Sequence, residues 1–174
     1  DYQLAGGHLV DDAKSVYTAA ELIVKVKEPQ PEETALITAD HTLFAYLHLA
    51  PDAELTQALL NSACKAIAYE TVSEDGRYLP LLAPMSEVAG KLAVQTGAHY
   101  LQTALGGSGV LLGGVAGVTP ANVLVLGGGV VGAGAVNVAL GMGANVTLVD
   151  QVDEVLEKNK RLHPALTIVN SRHQ

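Results

Sequence analysis

Short apolar runs alternate along the chain with polar segments of helical pattern. The clearest runs are Val123–Leu126 and Val146–Val149, neither containing a charge, which suits strands buried on both faces of a parallel sheet. Between them an alanine-rich apolar segment, Val130–Leu140, predicts a helix, and Gly141 and Gly143 are placed to end it. Val152–Arg161 predicts a further helix and Leu166–Val169 a third strand. The earlier part of the chain repeats the alternation. Glu21–Lys27 predicts a strand, closed by Glu28-Pro29-Gln30-Pro31 because proline has no N–H for the ladder. Thr42–Leu49 and Ala66–Glu70 predict two more strands, with a short helix opening at Pro31 and a longer one over Asp52–Asn61. Residues 1–20 give a weak helical pattern and Ser73–Gly76 a polar turn. Ser86–Thr103 predicts a long helix with Ser86 as its N-cap, followed by a glycine-rich connector around a short strand, Gly106–Gly117.

Alternation of this kind implies parallel pairing and right-handed crossovers. The expected fold class is α/β: two parallel-sheet, Rossmann-like domains, both incomplete, joined by a long helix and a glycine-rich crossover. Residues 1–84 form part of a substrate domain, 85–119 the helix and crossover, and 120–174 the first half of a dinucleotide-binding domain. That last domain shows three strands where a complete doubly wound sheet normally has about six. Gly90 and Gly97 each cost the long helix about 1 kcal/mol relative to alanine. This predicts close packing against another element, a second chain or the domain junction.

The sequence Gly127-Gly128-Gly129-Val130-Val131-Gly132 fits G-x-G-x-x-G between a strand and a helix, and Asp150 ends the next strand. Gly127 allows the tight turn, Gly129 lets backbone approach a pyrophosphate, and Gly132 lets helix and strand pack closely. Val130 and Val131 open the helix whose N–H groups and partial positive charge favour phosphate. Asp150 can accept hydrogen bonds from both ribose hydroxyls. The cofactor expected is NAD. A 2′-phosphate would be repelled by Asp150, and no Arg or Lys follows until Lys158. Two other readings fit the same turn: a glycine-rich bend in an ordinary α/β core, and an S-adenosylmethionine site. The connector at 106–117 is not a phosphate loop, since no Lys-Ser or Lys-Thr follows it.

Composition narrows the function. Among the 174 residues 49% are hydrophobic and 16% charged, which places the chain among globular proteins. The net charge of −8 argues against nucleic acid and anionic membrane as partners. A single cysteine, Cys64, excludes an intramolecular disulfide and a cysteine-based zinc site, and reads as a small core residue. No H-x-x-x-H pair supports a metal, and no apolar run reaches the roughly 20 residues of a membrane helix. A cytoplasmic location is expected. The opening DYQLAGGHLV, without an initiator Met, reads as the interior of a domain. A hydride-transfer enzyme must hold its substrate and manage a proton. Lys27 and His48 are the candidates, each near the end of a predicted strand, where parallel sheets place their sites. Lys27 would bind a carboxylate or carbonyl oxygen, and His48 would polarise a carbonyl and exchange a proton. Against this, a strand-end lysine is commonly a solvated charge and a histidine in an apolar run commonly a core residue. His8, His41, His99, His163 and His173 stand without such context, and Glu28, Glu32 and Glu33 read as surface charge.

Four stretches, in order, resemble the motifs of the alanine dehydrogenase family: IVKVKEP at 23–29, LFAYLHLA at 43–50, LPLLAPMSEVAG at 79–90 and GVLLGGVAG at 109–117. The resemblance implies an NAD-dependent interconversion of L-alanine with pyruvate and ammonia. It implies that Lys27 binds the substrate carboxylate and that His48 is the acid/base at the keto or imino group. It implies a place at the domain junction for Met85 and near the cofactor for Ser86, a place under the pyrophosphate for Val130 and Val131, and a hold on the adenosine ribose for Asp150. It also implies a homo-oligomer, commonly a hexamer. The family carries a substrate-binding arginine further upstream and an aspartate further downstream, and neither has a counterpart here. Ser108, Ala116 and Val155 stand where arginine, proline and a basic residue are common. The match weakens from His163, with Ser171 the counterpart of a cofactor-contacting serine. The chain therefore reads as an interior piece of the enzyme. The alternatives are the NAD(H)-binding alpha subunit of a proton-translocating transhydrogenase and a non-catalytic NAD(H)-binding module.

Overall fold

The computed structural model describes residues 1–76 and 78–172. The chain divides into two compact units, Asp1–Leu82 and Ala83–Gln174. Each is built around a three-stranded parallel sheet.

In the first unit the element order is α1 (Ala13–Ala19), β1 (Leu22–Val24), α2 (Pro31–Thr34), β2 (Thr42–Ala45), α3 (Ala53–Ser62) and β3 (Lys65–Ala68), and the sheet runs β1-β2-β3. Polar side chains start the helices by taking up backbone N–H groups that have no helical acceptor. The Asp12 carboxylate accepts from Ser15 N at 2.7 Å, and Asp52 does the same for Leu55 N at 2.9 Å. In α2, Pro31 sits in the first turn, and the Glu33 carboxylate accepts from Gln30 N at 2.7 Å. The core gathers Tyr17, Ile23, Leu43, Leu47 and Leu55, with Cys64 packed partly buried at its margin.

The strands are shorter than the apolar pattern predicts. β2 ends at Ala45, not Leu49, and His48 lies in the left-handed region at φ 49. Leu47 is nonetheless fully buried, so the run of apolar residues marks burial beyond the end of pairing. β3 ends at Ala68, and Tyr69–Thr71 turns as a single 3₁₀ coil. β1 is assigned only to Val24, although bonds from Lys25 N to Phe44 O and from Tyr46 N to Val26 O carry the pairing two residues further.

The second unit contains α4 (Ala83–Tyr100), β4 (Asn122–Leu126), α5 (Val130–Gly141), β5 (Asn145–Asp150), α6 (Asp153–Leu162) and β6 (Thr167–Asn170), with sheet order β4-β5-β6. Its core includes Val136, Ala139, Val146, Leu148, Leu156 and Leu166. Two expectations are corrected. Ser86 is not an N-cap: α4 starts at Ala83 and holds Pro84 in its first turn, where a missing N–H costs nothing. The connector at 106–117 contains no strand: its pairing is limited to a bridge between Val115 and Val118 and a single bond from Ala121 N to Leu112 O at 2.9 Å.

The glycine cost in α4 has a partner at one position only. A Cβ on Gly90 would lie 2.1 Å from the Val131 carbonyl oxygen, so α4 crosses α5 at backbone contact. A Cβ on Gly97 would meet nothing within 4 Å. The two substitutions should therefore have opposite signs. In thermal denaturation Gly90→Ala should destabilise the second unit by about 1–3 kcal/mol, whereas Gly97→Ala should stabilise it by up to about 1 kcal/mol. Equal effects would refute the contact.

Candidate functional site

In the first unit parallel pairing brings the ends of β1, β2 and β3 to one edge of the sheet, and the segments leaving that edge carry Lys27, His48 and Glu70. The two lysines of the KVK stretch have different environments. Lys25 is tied by its ammonium to Glu33, whose other bonds go to Gln30 N and, at 3.5 Å, Tyr17 Oη. Burial alone would raise the Glu33 carboxyl, but the Gln30 N–H and Lys25 outweigh it and hold the group below its usual range. Burial, reinforced by the Glu33 charge, pushes the Tyr17 phenol up to about 12. Lys27 is 69% exposed, with Glu28 Oε2 at 3.2 Å. Lys27 thus keeps the solvent-accessible ammonium, beside Glu28, while Glu33 is a structural acid and not the surface charge its sequence context suggests.

Glu28 is held below the usual carboxylate range, first by its own backbone N–H, with Lys27 and His48 adding to the effect. His48 is exposed and stacks on Tyr46, ring centroids 6.1 Å apart and planes at 13°. Its unusual backbone is held from the turn that follows β3: Glu70 Oε1 accepts from His48 N at 2.8 Å and from Leu47 N at 3.1 Å. Burial pushes the Glu70 carboxyl up, but these N–H donors and its own outweigh burial and lower it. Glu70 is a residue sequence reasoning missed. The available signal was an acid ending the strand next to the one that carries His48.

His41 is buried. Thr38 N donates to its Nδ1 at 2.9 Å, leaving Nε2 as the donor to Tyr17 O at 2.8 Å, so this ring ties β2 to α1. His173 lies outside the described residues. Among the described residues no group of three or more His, Cys, Asp or Glu is arranged to hold a metal, and no helix is long and apolar enough to cross a membrane.

In the second unit Gly127 continues the sheet, donating to Val149 O at 2.8 Å, and turns at φ 91. Gly129 is the N-cap of α5 and offers no side-chain cap, and the first turn carries no acid. The N–H groups of that turn therefore have no competing anion from this helix. A Cβ on Gly132 would lie 1.8 Å from Gly127 O, which is why the third glycine is needed. Asp150 accepts from Gly128 N at 2.7 Å through Oδ2 and from Val152 N at 2.9 Å through Oδ1. These two N–H groups, Gly128 first, hold its carboxyl below the ordinary 3.8. A carboxylate has about four acceptor positions, so two remain for other donors. Asn159, also unforeseen, donates to Gly128 O at 3.2 Å from within the buried face of α6. A cavity of about 1340 Å³ runs along β4, and Ser86, Gly127, Gly129, Val130 and Val131 all line it. Met85 is half exposed.

Residues 1–89 match the alanine dehydrogenase/PNT N-terminal domain and residues 93–174 the alanine dehydrogenase/PNT C-terminal domain. The chain belongs to the alanine dehydrogenase/PNT family. It is 56% identical over 151 residues to alanine dehydrogenase of Halomonas elongata, covering 87% of this chain and 41% of that protein. It is 53% identical over 150 residues to alanine dehydrogenase of Methanococcus maripaludis, covering 86% and 40%. The chain thus spans about two fifths of the length of these curated relatives. A solved L-alanine dehydrogenase superposes with TM-score 0.83 at 48% identity, covering 99% of this chain and 48% of that one. A transhydrogenase from Sinorhizobium meliloti shares the fold, with TM-score 0.72 at 24% identity, covering 99% and 50%.

Within this family chain the bonds of Asp150 make stability depend on pH with a definite sign. The folded carboxyl lies below its ordinary value, so its contribution is full above 3.8 and is lost as pH falls through the lowered folded value. Asp150→Asn should cost about 1 kcal/mol at neutral pH. In thermal melts the gap between variant and unmodified chain should close as pH is taken below 3.8. A gap that stays constant would show that the charged form is not what the two N–H groups hold.

Proposed function

We propose that these residues are the part of an NAD-dependent alanine dehydrogenase that carries the substrate-binding lysine, the acid/base histidine and the pyrophosphate turn. The complete reaction is L-alanine + NAD⁺ + H₂O ⇌ pyruvate + NH₄⁺ + NADH + H⁺. The observation that carries the reading is the identity of more than half to alanine dehydrogenases across most of the chain. The reading as the NAD(H)-binding subunit of a transhydrogenase has the fold in its favour, with half that identity. The whole protein would act as a cytoplasmic homo-oligomer on L-alanine and pyruvate.

The chemistry suits the side chains. Lys27, with Lys25 already neutralised by Glu33, offers a solvent-accessible ammonium for the substrate carboxylate. His48, whose ring stacks on Tyr46 and whose backbone Glu70 fixes, moves a proton to and from the substrate's nitrogen or oxygen. Gly127, Gly129, Val130, Val131 and Gly132 would hold the pyrophosphate of NAD, Asp150 its ribose hydroxyls, and Ser86 lies in the same cavity. The residues present fit the adenosine and pyrophosphate half of that cofactor: the helix end has no side-chain cap, and a Cβ on Gly129 would meet nothing within 4 Å. When bound, NAD supplies the hydride acceptor.

In the longer parent protein His48→Ala should lower turnover of L-alanine at least about 100-fold while calorimetry finds NADH affinity unchanged. Loss of NADH binding with turnover intact would reverse the assignment. The 174 residues alone should give little NADH formation from L-alanine in a spectrophotometric assay, and rates of an ordinary enzyme would refute this.

A further inference from the structure

We propose that Asn159 is a positioning residue for the dinucleotide: its side-chain amide sets the Gly128–Gly129 peptide so that the Gly129 N–H faces the pyrophosphate. The inference rests on the reading of the glycine turn as a dinucleotide site. It starts from a polar residue in the wrong company. Asn159 is 3% exposed and shares the inner face of α6 with Leu156 and Val155, where an aliphatic side chain would pack without a hydrogen-bonding requirement. Both donors of its amide are in use, one on Val155 O at 2.9 Å and one on Gly128 O at 3.2 Å. The first bond is local to the helix. The second reaches 31 positions back along the chain, to the middle of the glycine turn.

That middle residue is held on every side. Its N–H donates to Asp150 Oδ2 at 2.7 Å. A Cβ built on Gly128 would meet Val155 Cγ1 at 2.7 Å, Leu148 Cδ2 at 3.1 Å and Asn159 Nδ2 at 3.3 Å, so the residue has no room to shift toward α6 or β5. In a planar trans peptide the carbonyl and the following N–H point in opposite directions. With Gly128 O turned to Asn159, the Gly129 N–H points away from α6. Gly129 faces open space, since a Cβ there would meet nothing within 4 Å. It is also the N-cap of α5, next to the free N–H groups of the first helical turn. Asn159 thus fixes the Gly129 N–H, the next one along the turn after the Gly128 N–H that Asp150 takes, and preorganises it for an anion. If the peptide flipped, its carbonyl oxygen would face the phosphates instead.

The test uses the full chain, ¹⁵N-labelled, with Asn159→Leu, which removes both donors, and Asn159→Asp, which keeps the shape and replaces the donor by an acceptor. Each is titrated by NMR with ADP-ribose, which carries the pyrophosphate, and with adenosine, which does not. In the unmodified chain ADP-ribose should shift the Gly129 amide. In both variants affinity for ADP-ribose should fall about tenfold while affinity for adenosine stays within about twofold. A parallel fall for both ligands marks Asn159 as merely structural and overturns the proposal, as does unchanged ADP-ribose binding in either variant. If the variants fail to fold, the unmodified chain still decides. ADP-ribose bound without movement of the Gly129 amide refutes the proposal, and a specific shift there supports it. If the unmodified chain binds no ADP-ribose, the dinucleotide reading itself falls and takes the proposal with it.

Discussion

A carboxylate at the end of one strand holds the backbone that leaves the neighbouring strand, and both units depend on it. In the first, Glu70 follows β3 and takes the N–H groups of Leu47 and His48 just beyond β2. In the second, Asp150 ends β5 and takes the N–H of Gly128 just beyond β4. The physical need is general. A chain departing a parallel sheet exposes N–H groups that the ladder no longer satisfies, and leaving them unmet in a partly buried place costs about 1–3 kcal/mol each. Parallel pairing puts all such departures on one edge, so an acid on the adjacent strand is already in place. The segments held in this way are the ones that carry His48 and the glycine turn.

Local patterns were sufficient for residues 122–150 and less so elsewhere in both units. Strand, glycine turn, helix and strand over residues 122–150 were legible within a residue or two, because the apolar runs are short and glycines bound them. Thr42–Leu49 misled because hydrophobicity reports burial and not pairing: Leu47 is buried after the strand has ended. Ser86 misled because a serine closely following a proline reads as an N-cap, whereas Pro84 itself lies in the first turn of α4.

The side chains that sequence reasoning passed over share a cause. Glu33, Glu70 and Asn159 find their partners at separations of up to 31 residues, and nothing nearby in sequence distinguishes them from solvated polar groups. Two left a faint trace: Asn159 as a polar residue on the buried face of α6, and Glu70 as the acid closing the AIAYE run. Lys27 and His48 could be nominated from their strand ends. The reason for preferring Lys27 to Lys25 became physical only with the Glu33 contact.

The outer edge of β4 is open among the described residues, and Leu124 and Leu126 on that strand are 63% and 76% exposed. An uncharged strand of this kind, with a row of free N–H and C=O groups, is a template for strand addition. For these residues made alone, the quantity that governs yield is a rate: how fast bare edges meet compared with how fast each chain closes its own sheet. Dilution, which slows the meeting of bare edges and leaves sheet closure within each chain unchanged, would then favour recovery.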